Sequence, residues 1–145
     1  MAEDVIQQSS DATPAQPTGE GMHQARFAWA IGIAGWLLPG LGQALQRMWG
    51  RATVVFLTVG LLVTAGAAMR GNVFRANGGD AFDRLGYVAD LGAGSFYLAA
   101  RALERDGSDV SHSGGDYGTR FLATAGVLNL LAALHAYEAA RGRKA

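Results

Sequence analysis

The chain has no cysteine, only three prolines, and few charges: Asp, Glu, Lys and Arg make up 17% of its 145 residues. Without cysteine, a disulfide-stapled scaffold and any thiolate metal site are excluded. Scarce charge beside 50% hydrophobic residues excludes a disordered chain, which would be apolar-poor and charge-rich. The 21 glycines follow no three-residue period, so collagen is excluded as well. Neither sign of charge prevails, with 12 Lys+Arg against 12 Asp+Glu. There is therefore no overall basic field for nucleic acid. The length suits one domain.

The placement of the charges says more than their sum. From Phe27 to Gln46, twenty consecutive residues carry none; eighteen more run from Ala52 to Met69, and seventeen from Phe121 to Tyr137. A bilayer core about 30 Å thick needs roughly 20 mainly apolar residues at 1.5 Å each. Soluble helices instead alternate apolar and polar faces. The expected fold is all-α and integral to a membrane, with three transmembrane helices plus a short re-entrant or interfacial helix; four spans are the alternative. Mean hydropathy is a modest +0.12, because a polar tail and two polar loops dilute the apolar runs.

Residues 1–25 read as a disordered polar tail and residues 26–145 as a single helical membrane domain. The tail carries Glu3, Asp4, Asp11 and Glu20 and no Lys or Arg, a poor n-region for a secretory signal. In the first apolar segment, Pro39 lacks an amide proton and its ring would clash with the carbonyl of Gly35. With Gly40 and Gly42 following at once, the helix is expected to stop or kink near Leu38. Pro39–Gln43 should then lie against another helix or near the interface, because freed backbone groups need partners in lipid. The connector Trp49-Gly50-Arg51 suits the headgroup level.

After the second segment, Ala52–Met69, comes a polar loop with a turn signal at Asn77-Gly78-Gly79 and with Asp80 as a helix cap. Leu85–Ala100 is apolar except for Asp90 and is interrupted by Gly92 and Gly94. The last helix is expected over Tyr117–Ala140, capped by Thr119 or Asp116. The basic residues Arg141, Arg143 and Lys144 beyond it favour a cytoplasmic C-terminus in a bacterial inner membrane. The basic count between the two sides, five against seven for three spans and seven against five for four, leaves the span number open.

Several short motifs occur in order: Pro39-Gly40-Leu41-Gly42-Gln43, Trp49-Gly50-Arg51, Asp90-Leu91-Gly92-Ala93-Gly94, Tyr117-Gly118-Thr119, Gly126-Val127-Leu128-Asn129 and His135-Ala136-Tyr137. Together they resemble a family of small bacterial multi-pass membrane proteins of uncharacterised function. The resemblance covers about residues 27 to 142. It implies membrane localisation and supplies no reaction. Gln43 stands where that family usually has His, and His135 where it usually has Asp.

Asp90 is the sharpest single residue. A carboxylate at mid-bilayer costs about 2.5–3.5 kcal/mol on insertion scales, so it needs a partner or a water cavity. It reads either as a relay or ligand contact or as a paired interfacial acid, with Arg84, Arg101 or the groups around Asn129 as partners. Asn129, mid-helix, reads as an amide bridging helices. His135 and Glu138 share a helix face, but a bundle metal site needs a second such pair. The loop acids Asp106, Asp109 and Asp116 with His112 show no calcium-loop pattern. Gly-x-Ser-x-Gly fails at Ser95, because Tyr97 holds the last place.

No catalytic set and no cofactor are expected. The expected activity is that of an accessory, assembly or structural membrane subunit acting by helix packing. A small oligomeric ion or proton conduit using Asp90 and the broken helix at Pro39–Gly42 is the alternative. The expected partners are the lipid bilayer and a second copy or another membrane protein, with no nucleic acid.

Overall fold

The computed structural model describes residues 19–74, 80–103 and 113–142. These residues form six helices in chain order: α1 Gly19–Leu37, α2 Leu41–Leu45, α3 Trp49–Ala68, α4 Ala81–Leu91, α5 Ser95–Leu103 and α6 Ser113–Ala140. The all-helical class expected from composition holds among the described residues. Helix α1 begins inside the polar N-terminal stretch, at Gly19. The turn at Asn77-Gly78-Gly79 and the loop with Asp106, Asp109 and His112 lie outside the described residues.

Helix α6 is the central post, packed mainly against α3 and α1. Helix α3 runs antiparallel along it, with Arg51 beside His135 at one end and Gly66 against Gly118 and Leu122 at the other. The close approach at Gly66 uses the absence of a side chain: a Cβ there would lie 2.8 Å from the Gly118 carbonyl oxygen. Helix α1 is also antiparallel to α6 but covers only its C-terminal half. Gly32 meets Tyr137, Gly35 meets Ala133, and the Trp36 carbonyl reaches Asn129.

The first apolar run does not form a continuous span. Helix α1 stops at Leu37, Pro39 is fully buried, and Gly40 takes φ 83°, the left-handed region that glycine enters without cost. Helix α2 then runs back along α1, so that Gly42 sits against Gly35 and the Ile31 carbonyl. The helix thus stops where Pro39 was expected to stop or kink it, near Leu38, and the apolar run expected as the first of three transmembrane helices is divided between α1 and α2. The physical reason is steric, since proline and a left-handed glycine reverse the chain where a straight helix would have continued.

A second broken pair approaches from the other end. Asp80 caps α4, its Oδ1 accepting from the Ala81 N–H at 2.8 Å. Helix α4 ends at Leu91, residues 92–94 turn with Gly94 at φ 61°, and α5 returns. Segment 71–74 ties this pair to α6: the Asn72 N–H donates to Thr119 Oγ1 at 2.8 Å. Thr119 therefore works inside α6, which starts earlier, at Ser113, than a cap at Thr119 or Asp116 would have required.

Apart from Tyr97, the buried core is made of small and medium side chains, chiefly Val59, Val63, Val73, Ala93, Ala100, Leu122 and Ala125. Large apolar side chains such as Trp29, Ile33, Leu57, Leu61, Leu131 and Leu134 point outward. Among the described residues two helices, α3 and α6, are long and apolar enough to cross a membrane. Only 22% and 33% of their apolar windows are buried, against the mostly buried apolar helix of a soluble core.

Candidate functional site

The two broken pairs meet halfway along α6, at Asn129. A helix end leaves its last carbonyls without intrahelical donors. The side chain of Asn129, 0% exposed, serves one such carbonyl from each pair: its Nδ2 donates to Trp36 O and to Gly92 O, both at 2.9 Å. Trp36 closes the junction from the α1 side, its Nε1 donating to Leu91 O at 3.1 Å. No side chain would fit at Gly94, whose missing Cβ would collide with Trp36 O, nor at Gly126, which faces the Ala89 carbonyl. Gly92 is less tightly enclosed but still has no room for a side chain, since a Cβ there would lie 2.6 Å from Gly126 O. The expected role of Asn129 as a bridge between helices thus has a definite geometry.

Asp90, 3% exposed, lies behind this junction. Its Oδ2 accepts from the Phe74 N–H at 2.8 Å. The Tyr97 hydroxyl donates to Phe74 O at 3.3 Å and accepts from Arg101 at 3.3 Å. Asp90 thus finds a backbone amide of segment 71–74, while Arg101 turns to Tyr97.

The elbow at Pro39 is fastened separately. A Cβ on Gly40 would strike the Ala52 carbonyl, which closes the elbow onto the start of α3. Gln43, 2% exposed, donates from Nε2 to Ala132 O at 2.8 Å. One turn on, Gln46 Nε2 donates to Ala136 O at 2.9 Å. Both acceptors are α6 carbonyls using a second lone pair.

Trp49, Gly50, Arg51 and His135 gather at the end of the bundle. Trp49 is 68% exposed, and among the described residues nothing beyond the chain neighbours and helix backbone of Gly50 lies within 4 Å of where its side chain would start. Arg51 Nη1 lies 3.5 Å from His135 Nε2. Arg51, His135 and Gln43 share a cleft of about 330 Å³ floored by Val54, Val55 and Ala132.

The residues singled out in the sequence therefore fall into three places: Gly92, Gly94, Asn129 and Asp90 at mid-height, Pro39, Gly40, Gly42 and Gln43 at the elbow, and Trp49, Gly50, Arg51 and His135 at the end. Sequence reasoning missed Trp36 and Gln46. The signal for Gln46 was an amide closing an uncharged run; for Trp36 there was none, since its acceptor lies 55 residues away. Among the described residues, no three His, Cys, Asp or Glu side chains lie together as a metal site would need. No curated protein and no solved structure matches the chain. One family model does match, over residues 30–145, and by that match the chain belongs to the family of unknown function DUF6677.

Proposed function

We propose that this chain is an integral membrane protein that acts by packing, as an accessory or assembly subunit, with α3 and α6 as full spans and the pairs α1–α2 and α4–α5 as half-span hairpins entering from opposite faces. The observation that carries this reading is the inverted distribution of side chains. Gln43, Asp90 and Asn129 are buried, while Leu57, Leu61, Leu131 and Leu134 lie outside. Water would penalise that arrangement and hydrocarbon rewards it. The outward faces are available to lipid, to a second copy or to another membrane protein.

Packing is favoured over conduction by what fills the junction. Asn129 occupies the gap between the two helix tips and donates to both. Asp90 Oδ2 accepts from a backbone amide. Gln24 lies beside Gly142, which puts the start of α1 and the end of α6 on one side. We place that side in the cytoplasm of a bacterial inner membrane, on the basic cluster Arg141, Arg143 and Lys144.

Cysteine-accessibility labelling tests the arrangement, since the chain has no native thiol. Single cysteines at positions 24, 49 and 141 should label from one side and those at 84 and 113 from the other. Three full spans would separate 24 from 49, and four would separate 49 from 141. Asp90→Asn keeps an acceptor for Phe74 and should lower stability alone. A proton or cation flux in proteoliposomes that this substitution abolishes would instead favour a conduit.

A further inference from the structure

A furrow of about 290 Å³ runs between α1 and α6 on the outside of the bundle, away from the cleft at Arg51. Small residues make its floor, Gly32 on α1 and Ala133 on α6. At Gly32 the two helices are so close that a Cβ would lie 3.2 Å from Tyr137 Cβ. Exposed apolar side chains stand on either side, Ile33 from α1 and Leu134 from α6. Spacings of three and four residues keep each wall on one face of its helix.

The furrow has a direction. Its inner end, at Trp36 and Leu130, adjoins the Asn129 junction at mid-height. Its outer end, at Trp29 and Tyr137, whose ring centroids lie 5.1 Å apart, points to the start of α1 and the end of α6. Asn129 and Arg141 are about 18 Å apart along the helix axis at 1.5 Å per residue. Half of the hydrocarbon core is about 15 Å thick. The furrow thus lies within one leaflet, running from the midplane towards the headgroups.

Two cations stand at the outer end. Arg141 follows Tyr137 by one turn and folds back onto it: its Nη1 donates to the Tyr137 hydroxyl at 2.9 Å, and its guanidinium carbon lies 5.6 Å from the ring centroid. The phenol is neutral, so this contact aims the charge at the furrow without neutralising it, and the phenolic O–H can donate in turn. Arg26, exposed, precedes Trp29 by one turn on the same face of α1. Gln24 beside Gly142 sets the two helix ends level.

We propose that this furrow holds an acyl chain of an anionic glycerophospholipid, whose headgroup phosphate sits on Arg141, Arg26 and the Tyr137 hydroxyl. Charge selects this occupant. A second copy seated isologously would bring the same two arginines against these, and like charges repel. An anionic lipid brings the opposite sign, and basic pockets between helices on the cytoplasmic side are where such headgroups bind. The site rests on the membrane reading above, which supplies the leaflet.

The test uses the full chain in detergent micelles, titrated with phosphatidylglycerol, phosphatidylcholine or inorganic phosphate, with bound ligand and oligomeric state read by native mass spectrometry. Phosphatidylglycerol should be retained in preference to phosphatidylcholine. Arg141→Gln and Arg26→Gln should each weaken its binding about fivefold, the worth of one basic residue at an anionic headgroup. Both side chains are exposed, so neither substitution opens the core. Leu134→Trp, which narrows the furrow and leaves both charges, should weaken binding as well. Arg47→Gln, an exposed arginine outside the furrow, should change nothing. Retention unaltered by Arg141→Gln and Arg26→Gln, or reduced equally by Arg47→Gln, overturns the proposal. So does inorganic phosphate binding as tightly as the lipid, which would mark a free-phosphate site. A lipid-free dimer that Leu134→Trp dissociates overturns it too, by giving the furrow to a second copy. A chain that requires detergent yet holds phosphatidylglycerol without these arginines defeats this site alone; one that stays monodisperse in plain buffer defeats the membrane reading with it.

Discussion

The pairs α1–α2 and α4–α5 meet the same difficulty in two ways. Each is a helix broken at a Gly-x-Gly, Gly40-Leu41-Gly42 in one and Gly92-Ala93-Gly94 in the other. The left-handed residue is the first glycine in the former and the second in the latter, at φ 83° and φ 61°. Each break frees carbonyls that must find donors elsewhere in the protein. At the tips they share one answer, the amide of Asn129. Behind the tips they differ. The α1–α2 pair is held by neutral amides, Gln43 and Gln46, on carbonyls of α6. The α4–α5 pair is held by Asp90 and Tyr97 on the Phe74 backbone. The difference teaches that one fastening belongs to the central helix itself and the other to a connecting segment.

The heaviest blow to both pairs at once should be Asn129→Asp. A carboxylate offers no N–H to either carbonyl and adds a buried charge, a loss of about 3–5 kcal/mol. Thermal unfolding in detergent would show a collapse of the transition, and a wild-type midpoint would mean that Asn129 is no clamp. Next come Gly94→Ala and Gly40→Ala, each costing about 1–2 kcal/mol for the left-handed backbone alone, with crowding in addition. They should part in a double-mutant cycle. Gly94→Ala should couple to Asn129→Ala by about 0.5–3 kcal/mol, because both act at Trp36 O. Gly40→Ala acts at Ala52 O and should be additive. Additivity for both would dissolve the distinction between tip and elbow.

A milder contrast is Gln43→Met. It removes one donor but also the buried Oε1 that lacks a partner, so the net change should stay within about 1 kcal/mol. A loss as large as that for Asn129 would mean the elbow is held as tightly as the tips. The smallest effect should be a gain. Arg47 sits at φ 61° just past α2, where the Met48 N–H reaches Gln43 O and the Arg47 N–H reaches Ala44 O. That hydrogen-bond pattern favours glycine, and Arg47→Gly should raise stability by up to about 1 kcal/mol in the same unfolding assay.

Much of the local structure was legible in the residues. Pro39 announced the end of α1 because its ring excludes the preceding turn, and Asp80 announced the start of α4 as a cap. Asn129 was legible as a polar group that must find partners, though not which ones. What could not be read was the fate of the run from Phe27 to Gln46. Twenty uncharged residues are as compatible with crossing a bilayer as with folding back halfway. The choice depends on the room that Gly35 and Gly42 leave for each other and on carbonyls of α6 ninety residues further along.

The amino-acid sequence alone determined the helical class, the apolar runs and the places where a helix must break, because these follow from side-chain hydrophobicity and backbone sterics within a few neighbouring residues. Only the tertiary structure decided that two breaks face each other, that one amide serves both, and that Arg51, His135 and Gln43 share a cleft. Those facts are contacts between residues far apart in the chain, and no local preference encodes the distance between them.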